Sequence, residues 1–229
     1  MTVILAIKGV HHVAIFADSL GHSNDADGMY RHSFRKLRTI NGKWVIGVSH
    51  SQLGLEVVND LGSDPLNGLH SIDRFAAAEI ASRLLSLYQA KGFHDEVRFV
   101  LGGVGAFGPF IHEWWLKPND DKSGVTLEGP YEQSRHAVLG ASRHGALYFL
   151  HGFNRLSMSI PQHVLLGFHC VAEVAKHDVR VDRPVDVAVA TESGVAHYTE
   201  SDLPQFVERS AAITKEISVH LNAEDLTLS

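Results

Sequence analysis

Thr2-Val3-Ile4-Leu5-Ala6-Ile7-Lys8-Gly9-Val10-His11-His12-Val13-Ala14-Ile15-Phe16-Ala17-Asp18 decides how this chain folds. Two apolar runs, Val3 to Ile7 and Val13 to Ala17, flank the break Lys8-Gly9-Val10-His11-His12, the pattern of a β-hairpin with a glycine in its loop. A turn centred on Val10 sets Ile4 opposite Phe16, Ala6 opposite Ala14 and Thr2 opposite Asp18. Neither run alternates with polar residues, so both faces of this strand pair need apolar cover. Once Met1 is removed, the Thr2 hydroxyl is the first side chain of the chain, and it stands beside a carboxylate. That is the beginning of an N-terminal nucleophile site. An Asp at a strand end also fits ordinary turn chemistry.

Further along, Ser19 to His32 is rich in Gly, Asn, Asp and Ser and reads as an exposed loop. Phe34 to Ile40, the Asn41-Gly42 turn and Lys43 to Ser49 form a second hairpin, because Asn-Gly favours a tight hairpin turn. Helical spacing follows over Gln52 to Leu61, and again from Ser71, a candidate cap, to a stop at Gly92. Strands return at Val97 to Gly103, Pro109 to Trp115 and Val125 to Leu127. His136 to Phe153 and Pro161 to His177 read as helices, and Pro184 to Ala190 and Val195 to Tyr198 as strands. Asp202 to Leu221 reads as a closing helix. Strands apolar on both sides, alternating with pairs of helices, predict an α+β fold arranged as a four-layer αββα sandwich, in one domain spanning 1–229.

Composition narrows the function classes. The chain has 229 residues, 45% hydrophobic and 20% charged, enough to bury a core without disulfides. A formal net charge of -6 and the lack of any Lys/Arg run argue against a nucleic-acid partner. The lone cysteine, Cys170, sits in an apolar helical segment and reads as core. The sixteen histidines are scattered, and neither His-Glu-x-x-His nor paired Cys-x-x-Cys occurs, so no metal and no cofactor is expected. No stretch is long and apolar enough to span a bilayer, and the first apolar run lacks the charged start of a signal peptide. A cytoplasmic protein whose mature chain starts near residue 1 is expected.

Thr2, Ala17-Asp18-Ser19, Phe34-Arg35-Lys36-Leu37, Leu101-Gly102-Gly103, and His177-Asp178 before Pro184-Val185-Asp186-Val187-Ala188-Val189 form an ordered set of segments. Together they resemble proteasome β-type subunits, and the start is similar to the bacterial proteasome-like threonine peptidase, an N-terminal nucleophile hydrolase that works with an unfoldase ring. The resemblance implies a self-compartmentalising threonine-type endopeptidase. Thr2 would be its nucleophile, Asp18 and Lys36 its Asp and Lys, and Ser142 and Asp178 its later supporting residues. It further implies a homo-oligomeric ring, a peptide or unfolded-protein substrate, and an ATP-dependent unfoldase partner.

The chemistry of these residue types agrees with that implication. A threonine hydroxyl needs a base, and an α-amine with an ordinary pKa of about 7.7–8.0 is suitable. A lysine ammonium beside Thr2 favours a developing alkoxide and keeps the amine unprotonated, and Asp18 would fix that lysine in place. Two positions depart from the family pattern. Ser49-His50 stands where a small residue and a glycine line the oxyanion position, so a His50 backbone N–H would be the donor. Val181 stands where a serine hydroxyl supports the amine. Two other readings therefore stay open: a catalytically degenerate structural subunit of a ring, and an N-terminal nucleophile amidohydrolase acting on a small amide.

Overall fold

A computed structural model describes residues 3–25, 28–33, 35–63, 73–121, 123–140, 143–179 and 181–221. The first hairpin is β1 (Val3–Lys8) and β2 (His12–Asp18). Its turn is one residue out of the expected register. Gly9 N–H donates to His12 C=O at 2.8 Å, closing a turn over Val10 and His11. Ile4 therefore faces Ala17 and Leu5 faces Phe16. The pairing expected for Thr2 and Asp18 moves to Val3, whose N–H donates to Asp18 Oδ1 at 2.9 Å; Thr2 itself lies outside the described residues.

β3 (Leu20–Asp25) and β4 (Gly28–Ser33) form a separate antiparallel ribbon where an exposed loop was expected. β5 (Leu37–Ile40) and β6 (Trp44–Ser49) make the second hairpin around Asn41 (φ 52) and Gly42 (φ 66), left-handed conformations that suit Asn and Gly. α1 (Gln52–Ser63) and α2 (Asp73–Ala90) follow, and the Ser71 cap lies outside the described residues. Next come β7 (Val97–Gly105), β8 (Gly108–Pro118) and β9 (Val125–Glu132). The segment from His136, expected to be helical, is instead strand β10 (His136–Gly140) and only then α3 (Arg143–Phe153). The free edge of β1 decides this: five residue pairs, Val3 with Gly140 through Ile7 with His136, give its backbone groups partners. α4 (Ile160–His177), β11 (Val185–Thr191), β12 (Gly194–Tyr198), a 3-10 turn at Glu200–Asp202 and α5 (Pro204–Leu221) complete the order.

Two antiparallel sheets of five strands result, in the orders β10-β1-β2-β11-β12 and β5-β6-β7-β8-β9. Alternate residues of β1 and β2 serve different clusters. Ile4, Ala6, Val13, Ile15 and Ala17 meet Leu37, Val45, Val100 and Ile111 of the other sheet. Val3, Leu5, Ile7, Ala14 and Phe16 meet residues of α3 and α4. Both apolar runs are thus buried on both faces. Cys170 is buried in α4 with its thiol pushed up to about 12 by burial, as the reading of a core cysteine requires.

The expected four-layer αββα sandwich is corrected. The described chain has two five-stranded antiparallel sheets, a third two-stranded sheet, and five helices of which the last does not cover a sheet. α5 packs chiefly on α4, where His169 Nδ1 lies 2.9 Å from Ser210 Oγ and Thr214 donates to Glu173 at 2.6 Å. Its apolar residues Phe206 and Val207 reach the cluster around α4 only at its rim. No described helix is long and apolar enough to cross a membrane.

At the turn end of the hairpin, two buried imidazoles share one hydrogen bond, His12 Nε2 to His163 Nδ1 at 2.8 Å. His163 Nε2 faces the Arg155 carbonyl at 3.0 Å and Asn154 Oδ1 at 3.1 Å, both acceptors, so Nε2 carries the proton. His163 Nδ1 is then an acceptor and His12 Nε2 its donor. Both rings are neutral in this arrangement, and burial, His163 and His11 push His12 down to about 4. The unfolded chain binds a proton here near 6.5, so it holds more protons than the folded one between about 4 and 6.5, and stability falls as pH drops through that window. His12→Asn should lessen the drop in urea midpoint between pH 7 and pH 5; an unchanged drop would remove this pair as its source.

Candidate active site

Asp18 and Lys36 are the predicted site residues that the fold brings into contact. Lys36 Nζ lies 2.7 Å from Asp18 Oδ2, with side-chain exposures of 3% and 0%. Each is delivered by a different sheet: Asp18 ends β2, and Lys36 immediately precedes β5, its carbonyl accepting from Val48 N–H at 3.2 Å. The second oxygen of Asp18 holds the N–H of Val3. One carboxylate thus binds both the ammonium and the backbone of the residue that follows Thr2 in sequence. Burial lowers the Lys36 pKa below the ordinary lysine value; the charge and hydrogen bond of Asp18, and the charge of Asp186, oppose the shift.

Asp186 was not singled out from sequence. It pairs with Ala17 across β2 and β11, and shares a strand face with Ala188 and Ala190, which lie between the sheets. That face brings it to the end of the layer occupied by Lys36. Burial raises its pKa, opposed by Arg35, His197, Arg38 and Lys36. Its position inside a β11 that reads as plain apolar strand hides it from pattern reasoning.

Ser49 is buried at the end of β6, and its Oγ lies 2.9 Å from His50 Nδ1. His50 is exposed and has φ 81. A non-glycine residue in the left-handed region costs on the order of 1–3 kcal/mol and persists where surrounding structure enforces it, as at functional sites. The backbone at the expected oxyanion donor thus has the conformation a glycine would take freely. Burial lowers the His50 pKa, with Arg98 adding to the shift and Glu96 opposing it, so the imidazole favours its neutral form.

Asp178 caps the C-terminus of α4 through its backbone, donating N–H to Val174 C=O and accepting from Val181 N–H, both at 2.9 Å. It lines a 550 Å³ cavity with His144, Glu173 and His177. Val181 is 3% exposed and belongs to the apolar cluster around α4. Thr2 and Ser142 lie outside the described residues. Among the described residues, no group of three or more His, Cys, Asp or Glu is gathered as a metal site.

Two solved structures share this arrangement. Anbu (ancestral beta-subunit) from Yersinia bercovieri superposes with a TM-score of 0.73 at 15% identity, covering 99% of this chain and 100% of that one. A (Gly-1) mutant of Anbu from Hyphomicrobium sp. strain MC1 gives 0.71 at 14% identity, over 100% of each chain. The likeness is one of fold. It corrects the resemblance read from sequence: the fold is shared with these Anbu (ancestral beta-subunit) proteins, which are distinct from a canonical proteasome β subunit. No protein-family model matches the sequence, and no curated protein matches it.

The ion pair sets a stability test. Removing one member of a buried pair strands a charge, at a cost of about 3–5 kcal/mol, whereas removing both charges costs much less. Lys36→Met should lower the urea-unfolding free energy by that amount, and Asp18→Asn with Lys36→Met should recover most of it. Equal losses in the single and double variants would show that charge pairing is not what holds Lys36 there.

Proposed function

We propose that this chain is a subunit of a self-compartmentalising threonine-type peptidase, with Thr2 as nucleophile after removal of Met1. The observation that carries the reading is the buried Asp18–Lys36 pair tied to the Val3 N–H. A buried ammonium held by a carboxylate, one peptide away from a threonine, is what an N-terminal hydroxyl needs to become a nucleophile near neutral pH. Thr2 Oγ attacks the scissile carbonyl while its own amine takes the proton. The amine then returns that proton to the leaving nitrogen, and water hydrolyses the resulting ester. Lys36 stabilises the developing negative charge on Oγ, Asp18 holds Lys36, and the His50 N–H, beside Ser49, serves the carbonyl oxygen. Ser142 and Asp178 support the amine.

The substrate is a peptide or unfolded polypeptide, admitted to the interior of a homo-oligomeric ring in the cytoplasm by an ATP-dependent unfoldase. Confinement limits hydrolysis to chains that have been threaded in. A catalytically degenerate ring subunit is the second reading, and Val181 favours it: this position contributes a buried methyl surface where a hydroxyl would support the amine. An amidohydrolase acting on a small amide shares the same chemistry, and a panel of peptides and small amides separates it from a peptidase.

Intact mass after incubation with a peptide epoxyketone tests Met1 removal and nucleophile competence together. We expect loss of one methionine and addition of one inhibitor per chain. Thr2→Ala should abolish both labelling and peptide hydrolysis with unchanged melting, and Thr2→Ser should keep part of each. Lys36→Ala should approach Thr2→Ala, assayed at a temperature where it stays folded. Hydrolysis retained by Thr2→Ala, or by protein that keeps Met1, would exclude Thr2 as the nucleophile; absence of labelling in processed protein would favour the degenerate subunit. His50→Gly should preserve or raise hydrolysis and stabilise the fold by about 1 kcal/mol through relief of the left-handed backbone.

A further inference from the structure

A polar cavity of 290 Å³ lies at the turn end of the first hairpin, at the far end of β1 and β2 from the Asp18–Lys36 pair. Ser134, Arg135 and His136 line it from the start of β10, and His151 and Asn154 from the end of α3. More of its wall is polar than apolar, and no carboxylate lines it. Backbone bonds fix both walls. Gln133 N–H donates to Ile111 C=O and Lys8 N–H to Arg135 C=O, both at 2.8 Å, and Asn154 N–H donates to Leu150 C=O at 2.9 Å. Val138 belongs to the cluster with α3 and α4, so His136, two residues earlier on the strand, faces α3 as well. The His151 ring stands edge-on to it, with centroids 5.0 Å apart.

The polar groups here are donors. Asn154 is 2% exposed, and its Oδ1 accepts from His163 Nε2 at 3.1 Å, which turns its amide nitrogen the other way. That nitrogen lies 3.5 Å from His136 Nδ1 and carries two protons, so at least one N–H has no acceptor among the described residues. With Nδ1 accepting, His136 holds its own proton on Nε2. The Arg135 guanidinium makes no hydrogen bond or ion pair among the described residues. The surrounding charges have one sign. Burial, His151 and Arg135 all push the His136 pKa down, and no carboxylate opposes them. Lys8 ends the paired strand, Arg155 donates to the Asn154 carbonyl at 3.0 Å, and the His12–His163 pair behind Asn154 is neutral. Glu132 ends β9 exposed and is not part of the wall. The carbonyl end of α3 brings about half a negative charge, less than the guanidinium offsets.

We infer that the cavity between β10 and α3 binds a doubly charged oxyanion of the sulfate or phosphate class, held by Arg135, His136, His151 and the Asn154 amide. The guanidinium supplies charge and paired N–H groups, and the buried amide supplies a donor already oriented. None of these residues belongs to the Asp18–Lys36 site, so the cavity acts independently of any reaction at Thr2.

The probe is sulfate, which keeps both charges between pH 6 and pH 8. Titrated into the intact chain at ionic strength held constant with sodium chloride and followed by calorimetry, it should bind saturably at one ion per chain. Arg135→Gln, at an exposed position, should weaken binding at least about tenfold, the effect of losing charge-assisted hydrogen bonds. A bound anion favours protonated His136, whose pKa in the free protein lies below the ordinary value, so binding takes up a proton and tightens as pH falls. The affinity should therefore be higher at pH 6 than at pH 8, and His136→Gln should flatten that difference; Arg135→Gln carries the test should His136→Gln fail to fold. Arg209→Gln, on α5, should change nothing. Absence of saturable binding, binding undiminished in Arg135→Gln, an equal loss in Arg209→Gln, or an affinity in the unaltered protein that does not rise toward pH 6 would overturn the assignment.

Discussion

The rest of the structure depends on a single buried contact, the ammonium of Lys36 against the carboxylate of Asp18. A charge without a counter-charge is not tolerated in an apolar layer, so the two sheets must meet where these side chains meet. Asp18 ends the hairpin strand that lies at the centre of one sheet, and Lys36 immediately precedes the edge strand of the other. Their pairing therefore fixes how the ends of the sheets align. The same carboxylate captures the N–H of Val3, so the start of β1 is held by a charge-assisted bond and not only by ladder pairing. With Asp186 close by on the same strand face, the lysine lies between two negative groups, which offsets the cost of burying it.

Close packing does the rest of the positioning. The sheets approach so closely at Gly47 and Gly102 that an added methyl would lie 2.9 Å from Ile4 and 2.8 Å from Val13. On the opposite face, Gly167 lets α4 sit directly on the ring of Phe16, where a Cβ would come within 2.2 Å. The first hairpin is thus clamped from both sides, and interiors packed this tightly transmit small displacements. A strand held so firmly is a rigid platform for chemistry at its end. The left-handed backbone of His50, at the end of neighbouring β6, is the kind of strain such a frame can sustain.

The histidines show how much the surroundings decide. His12 and His163 hold each other neutral in a closed chain of hydrogen bonds. His169 has one nitrogen 2.9 Å from Ser210 Oγ and the other buried with no partner among the described residues. Thr39 and His197 join β5 to β12 across the sheet edges by a short hydrogen bond. All are the same residue type, yet only contacts between distant segments give each its proton state.

By itself the sequence determined that Val3 to Ile7 and Val13 to Ala17 are strands buried on both faces and that Asn41-Gly42 turns a hairpin. These follow from local pattern: an unbroken apolar run, and a pair of residues that accept positive φ. The pairing of Asp18 with Lys36 came from the family resemblance and not from local pattern. Only the tertiary structure decided the register. Val10 and His11 close a tighter turn than centring on Val10 implies, and one residue of slip moves Asp18 from Thr2 to Val3. The strand at His136–Gly140 was equally hidden, since its helical spacing was overridden by the open edge of β1. So was the ribbon of β3 and β4, whose sequence carries no apolar period and whose strands pair antiparallel over Leu20 with Ser33 to Asp25 with Gly28. The arrangement of layers was not legible, because a helix that packs on another helix, as α5 does on α4, has the same amphipathic pattern as one that packs on a sheet.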